Sequence, residues 1–506
     1  MNKLLFLFGL SLLSSSSFGQ ATPTSILSYG AKADGKTNNA AAIQRAIDDV
    51  STKGGGRVSI PNGVFLTGQL VLKSGVDLHL ADNAILLGSP NRLDYTNQVA
   101  MGFIVARNQQ NVSITGRGVI DGQGRLVVQD LLRLLRAGKL QDNEYKQKRP
   151  TGENRPMLIE LINCQNVRVT GITAKDAANW VTSYRKCTNL TIDSVRVEST
   201  AYWNNDGIDL VDCKDVTITN CIINATDDGI CLKSEDPGSR CENISVAHCT
   251  IRSSASAFKL GTGSYGGFKH ITVRDLTVYD TFRSAIALEC VDGGLLEDID
   301  IRNVKATNTG NAIFIRLGHR RPNGPVSQVR NIRIANVEVE VPQGKPDIGY
   351  PIEGPPIKEP HNLIPASITG LPDHPVQQVV LENISIVYGG GGQKKIAHVS
   401  IDSLATVPER PTGYPEFSMF GELPAWGFYV RHAEGVQFKN VQLRYESNDF
   451  RPACVFDDVK TLVLDNLQIP QATSLPSVVL HNVPAPSLKN VQLPAAQEQA
   501  VKILTN

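Results

Sequence analysis

The sequence predicts an all-β chain folded as a parallel β-helix with an N-terminal capping helix. Three observations carry that prediction. From Arg57 onward, short segments alternate apolar and polar residues between Gly and Asn punctuation, as half-buried strands do. An imperfect motif then recurs, headed by Asn111, Asn166, Asn189, Asp215, Asn243, His270, Asp298 and Asn331, each followed by a strand such as Val-Arg-Val or Leu-Thr-Ile. Between 166 and 298 it steps by roughly 23 to 28 residues with no helical pattern, a period that suits a coil of stacked strands. A β-sandwich would turn every ~8–12 residues without this self-similarity.

In chain order, residues 1–19 read as a signal peptide: Lys3, an apolar run Leu4 to Leu13, then a small, serine-rich stretch to Gly19. The run falls short of the ~20 apolar residues of a membrane span. A secreted or periplasmic protein without a membrane anchor is therefore expected. Ala40 to Val50 places Ile43, Ala46, Ile47 and Val50 at helical spacing, suited to cover the open edge of the first coil. The parallel β-helix is expected over 20–470, with insertions near 122–155, 341–375 and 405–427, and C-terminal rungs or a tail over 471–506. Within the first insertion, Val127, Leu131, Leu134 and Leu135 form a short amphipathic run. Long insertions in a coil tend to wall a binding groove.

A net charge of +1 with 20% charged residues shows no nucleic-acid-like bias. The nine cysteines are odd in number and include no CxxC pair or zinc-spaced Cys/His cluster. Cys164, Cys187 and Cys213 would fall in one column at the turns and Cys221 and Cys249 in another, as small buried residues or as bridges. The Asn residues at strand starts would stack as a structural ladder. No cofactor or metal is expected, and a monomer is.

Aligning the middle repeats on their apolar residues stacks Asp206-Gly-Ile over Asp228-Gly-Ile, then over Ser256-Ala-Phe, Ser284-Ala-Ile and Asn311-Ala-Ile. Ile208, Ile230, Phe258, Ile286 and Ile313 then form one interior column, and Leu210, Leu232, Leu260, Leu288 and Ile315 a second. Rungs lie ~4.8 Å apart, so Asp206 and Asp228 should repel and one should hold its proton more tightly. Asp227 sits beside them. Trp180 falls one rung earlier with Trp203 nearby, a platform for a sugar face. Stacked Asp residues could instead cap turns or bind calcium. As glycoside-cleaving chemistry, Asp206 and Asp228 would hold a water between them, while Asp227 acts as general acid, its proton affinity raised by its anionic neighbours.

With these residues placed, the chain resembles glycoside hydrolase family 28, the polygalacturonase-like enzymes, over roughly Ser25 to Phe456. The marks are Tyr29-Gly-Ala-Lys-Ala-Asp-Gly, Asn204-Asn205-Asp206 at the family's Asn-Thr-Asp site, and Asp227-Asp228 at its Asp-Asp site. The resemblance implies a right-handed parallel β-helix and metal-free inverting hydrolysis, with Asp227 as general acid and Asp206 and Asp228 as the water-activating pair. Two departures stand out. The family's Gly-His-Gly reads Gly261-Thr262-Gly263, and its Arg-Ile-Lys, which grips galacturonate carboxylates, reads Ala287-Leu288-Glu289. Lys233, Lys259 and Arg316 lie in neighbouring positions and either substitute for the lost cations or pair with acids such as Glu289. Asn204, Asn205, Trp180, Trp203, Lys233, Lys259, Glu289 and Arg316 are thus the candidate substrate-binding set. The expected activity is hydrolysis of a pectin-type or related acidic polysaccharide, with exo action suggested by the insertions. The alternatives are a calcium-dependent polysaccharide lyase, with Lys259 as base, and a non-catalytic carbohydrate-binding β-helix.

Overall fold

The computed structural model describes residues 23–504 apart from 96–98, 144, 146–148, 351–360, 395–398, 472–474 and 495–499. The expected signal peptide lies outside the described residues, as does part of the 341–375 insertion. Each middle coil carries three strands, for instance Thr182–Arg185, Thr188–Asp193 and Arg196–Ser199. These pair in parallel with Ile208–Val211, Lys214–Thr219 and Ile222–Ala225 of the next coil. The fold is a right-handed parallel β-helix, the hand that right-twisted strands impose on parallel crossovers.

The interior columns follow the sequence register. Ile208 pairs with Ile230, Ile230 with Phe258, Phe258 with Ile286 and Ile286 with Ile313; the leucine column runs beside it. All are buried, so each coil stands on an apolar layer supplied by its neighbours. The turns explain the Asn headings. Asn166, Asn189, Asp215 and Asn243 adopt φ of 54–56°, a left-handed conformation that Asn and Asp tolerate best among residues with a Cβ. Their side chains bond along the stack, Asn189 to Asn166 at 2.8 Å and Asn243 to Asp215 at 2.9 Å. A second ladder joins Asn303, Asn336, Asn383, Asn440 and Asn466. Asn383 therefore belongs to this second turn and does not continue the Asn331 series.

Helix α1 (Ala40–Thr52) buries Ala42, Ile43, Ala46, Ile47 and Val50 against the first strands and covers that end of the coil. Helix α2 (Gly124–Arg136) occupies the first insertion, burying Val127, Val128, Leu131 and Leu134. At the far end, Val478–His481 pairs with Val501–Leu504, so paired strands continue past residue 470. Outside the coil a second apolar cluster gathers Ile364 with Leu404, Phe417, Phe420 and Leu423 against Phe314, Tyr429, Val455 and Val479. It docks the two later insertions on the flank of the coil. All nine cysteines are free and buried.

Candidate active site

The site grows out of one outward-facing turn repeated over successive coils. The amide of Val181 donates to Asp206 O at 2.8 Å, that of Gly207 to Asp228 O at 2.9 Å, and that of Gly229 to Ser256 O at 2.8 Å. Trp180, Asp206 and Asp228 are thereby stacked. Glycine after each Asp is a requirement of this stacking. A Cβ on Gly207 would lie 2.5 Å from Gly229 O, and one on Gly229 would lie 2.7 Å from Ala257 O.

Asp206, Asp227 and Asp228 each offer an oxygen within 4.8 Å of the other two, with Asp206 and Asp228 buried and Asp227 half-buried. Asp228 Oδ2 accepts from Lys259 Nζ at 3.0 Å and its Oδ1 from the Ser256 amide at 3.1 Å. Burial alone would push this carboxyl up, but Lys259, Lys233 and Arg283 outweigh it and hold Asp228 below the usual carboxylate range. Asp206 is pushed well up, first by burial and then by Asp209, with Asp227 and Asp228 adding to the rise and Lys233 opposing it. The mutual repulsion expected from the stacking thus falls on Asp206. Its Oδ2 accepts from Lys233 Nζ at 3.2 Å, while its Oδ1 is buried without a protein partner. Lys233 also bonds to Asp209, a fully buried carboxyl raised by that burial to about 6. Asp227 accepts from Asn204 Nδ2 at 3.2 Å and from the Asp228 amide at 3.0 Å.

These groups open into a cavity of about 490 Å³ lined by Trp180, Asn204, Asp206, Asp227, Asp228, Lys233, Glu235, Lys259, Thr262, Gly263, Tyr265, Arg320 and Tyr414. Of the residues singled out in the sequence, the three Asp, Trp180, Asn204, Lys233 and Lys259 meet there. One side of the Trp180 ring carries Lys233 Nζ at 4.2 Å from its centroid, and Arg185 stands 5.2 Å from it. Trp203 is exposed, edge-on to Tyr202 and beneath Arg149. Glu289 lies behind the cavity wall, 3.8 Å from Lys259, and burial raises its carboxyl to about 7.

Two expected contact residues face elsewhere. Asn205 is fully buried: its Nδ2 donates to Ala177 O and Asn179 O, and its Oδ1 accepts from Ser199 Oγ and the Tyr202 amide. It fixes the turn that presents Asp206. Arg316 pairs in register with Glu289, yet its guanidinium turns away to the carbonyls of Gly370, Glu409 and Arg410. Neither substrate contact nor the Glu289 pair describes it; it anchors the root of the 405–427 insertion.

The reading of the sequence missed several neighbours. Asp209 was legible in principle, since it alternates with inward Ile208 and Leu210. Tyr265, Arg320 and Tyr414 arrive on loops that carry no rung pattern. Arg283 backs the carboxylates, and its charge is strengthened by Tyr414, Asp227, Asp228 and Glu416 against the cost of burial. Arg149 and Arg155, from the first insertion, both donate to Asn204 Oδ1, at 2.9 and 2.8 Å.

The coil thus presents three acids from successive turns beside Lys233, Lys259 and Trp180. Residues 51–345, more than half of the chain, match the model of glycosyl hydrolases family 28, and the chain belongs to that family. It is 26% identical over 354 residues to the exo-poly-alpha-D-galacturonosidase of Dickeya chrysanthemi, covering 60% of this chain and 58% of that protein. It is also 26% identical over 310 residues to an endo-polygalacturonase of Pectobacterium carotovorum subsp. carotovorum, covering 58% and 75%. Among solved structures, an exopolygalacturonase from Thermotoga maritima superposes with a TM-score of 0.58 at 24% identity, over 72% of this chain and 87% of that one. The chain thus spans less than two thirds of the length of the Dickeya relative.

Proposed function

We propose that this protein hydrolyses glycosidic bonds in a pectin-type or related acidic polysaccharide, inverting the anomeric centre and acting from chain ends. The observation that carries the reading is the three-carboxylate cluster on successive coils of a family 28 chain. Asp228, kept ionised by Lys259, takes the proton of a water held between it and Asp206, and Asp227 protonates the departing oxygen. The names of the relatives support pectic substrates, and the first insertion's hold on Asn204, with Tyr414 in the cavity wall, supports exo action. The Met1–Gly19 segment supports export, which N-terminal sequencing of the protein from culture fluid or periplasm checks. Among the described residues no helix is long and apolar enough to cross a membrane.

The test is reducing-sugar release from a pectic panel. Asp227→Asn should lower turnover by about 10²–10⁴-fold, the share general acid catalysis supplies; unchanged turnover refutes the assignment. Inverting pairs hold their carboxyl groups ~6.5–9.5 Å apart and retaining pairs ~5–5.5 Å. The anomer of the first product, followed by NMR, therefore decides the stereochemistry. Activity should survive chelation, whereas loss to chelator with a UV-absorbing unsaturated product would establish a calcium-dependent lyase.

A further inference from the structure

The cavity's charge is unevenly distributed. Away from the Asn204 side, the cations in its wall already have acids, and Arg321, over the ring of the lining Tyr265, is exposed. Lys233 is 3.2 Å from Asp206 and bonded to Asp209. Lys259 lies 3.0 Å from Asp228 and 3.8 Å from Glu289. Arg320 forks onto Asp292 at 2.8 and 2.7 Å, Arg185 meets Glu235 at 2.6 Å, and Arg283 reaches Glu416 at 3.4 Å. Around the cluster itself, Asp206, Asp209, Asp227, Asp228 and Glu289 face the Lys233 and Lys259 ammonium groups, with the Arg283 guanidinium behind them shared with Glu416. A substrate carboxylate on the Lys259–Glu289 side would bring one more negative charge to a buried, acid-rich wall whose own cations are already paired, Arg321 standing outside it over Tyr265.

The opposite side differs. Arg149 and Arg155 converge on Asn204, and neither forms an ion pair among the described residues. Arg155 spends its remaining donors on the carbonyls of Ala178, Trp203, Pro150 and Thr151. Arg149, exposed above Trp203, is free to meet an anion.

We propose that the sugar bound on the Lys259–Glu289 side of the scissile bond carries no free carboxylate, being a neutral or esterified residue, while a uronate is accepted on the Asn204 side. The inference rests on the hydrolase reading and deepens it. Its chemical basis is that an ion pair lends little attraction to a third charge, while Glu289, once ionised above about 7, repels an anion at short range in a poorly solvated wall.

The experiment compares galacturonate trimers carrying free acids with the same trimers methyl-esterified or carboxyl-reduced at single residues. The trimer neutralised on the Lys259 side should show a kcat/KM about tenfold above the free acid, a gap that salt narrows. Above about pH 7, where Glu289 is ionised, Glu289→Gln should narrow the gap by improving turnover of the free acid. Equal or better cleavage of the free acid by the wild type overturns the proposal and leaves the hydrolase reading standing; loss of that preference in Arg283→Met would place the carboxylate at Arg283. If no trimer is cleaved, the hydrolase reading fails for these substrates. Calorimetric binding to Asp227→Asn then decides the proposal: tighter binding of the neutralised trimer supports it, and tighter binding of the acid, or no binding, overturns it.

Discussion

Lys259 is the side chain on which the electrostatics of the site turn. It is buried, keeps Asp228 ionised and lies against Glu289. Replacing it by Met strands two buried acids, at a cost of about 3–5 kcal/mol in stability. The pH consequence has a definite sign. Asp228 is held below its unfolded value, so its stabilising share is present above that value and lost as pH falls through the folded one. In Lys259→Met that depression is lost, so the acidic limb of kcat/KM should move to higher pH, and the stability gap to wild type should shrink in acid. A pH–rate profile with parallel thermal melts checks both. At this scale the sequence was partly legible. Rung alignment stacked Lys259 before Ala287, as the strands do. It does not show where side chains turn once they leave the strand, and Asn205 and Arg316 turn inward to backbone carbonyls, away from the cavity.

At the scale of elements, the coils were legible because each rung needs inward residues at period two and an αL-tolerant residue at each turn. The insertions follow no such rule. The 405–427 segment brings Tyr414 to the cavity and Glu416 to Arg283 through anchors that pattern cannot reveal. Its root is tied by Arg316 to two carbonyls, by Arg431 to Glu409 at 2.8 Å and to Val407 O, and by His432 to Glu409 at 3.1 Å. Arg316→Met should loosen this root selectively. Amide exchange over 405–427 should accelerate by about tenfold or more, the loss of about 1.4 kcal/mol from its local opening. The strands Phe258–Ser264 and Ile208–Val211 should keep their protection; uniform acceleration throughout the chain would show that Arg316 supports the coil and not the loop.

At the scale of the molecule, the family match ends at residue 345, yet the cavity does not. The carboxylates belong to the matched coils, while Tyr414 and, apart from Phe314, the second apolar cluster come from beyond them. The catalytic core was therefore the part most open to reading from sequence, and its outer wall, assembled by contacts distant in the chain, the part least open. Because stability in such stacks is passed between neighbouring coils, the two ends are unequal: α1 covers the first, and the last described strand, Val501–Leu504, is paired on one side only.

The buried thiols turn that inequality into a clock. Cys164, Cys187, Cys213 and Cys241 occupy early and middle coils, Cys290 a later one and Cys454 the C-terminal part, all shielded from solvent. A thiol reagent reaches each only when its own layer opens, so the order of modification under mild denaturant records the order in which the stack unzips. Mass spectrometry of pulse-labelled protein should find Cys454 modified ahead of Cys187; simultaneous labelling of both would mean that the whole column opens as one cooperative unit.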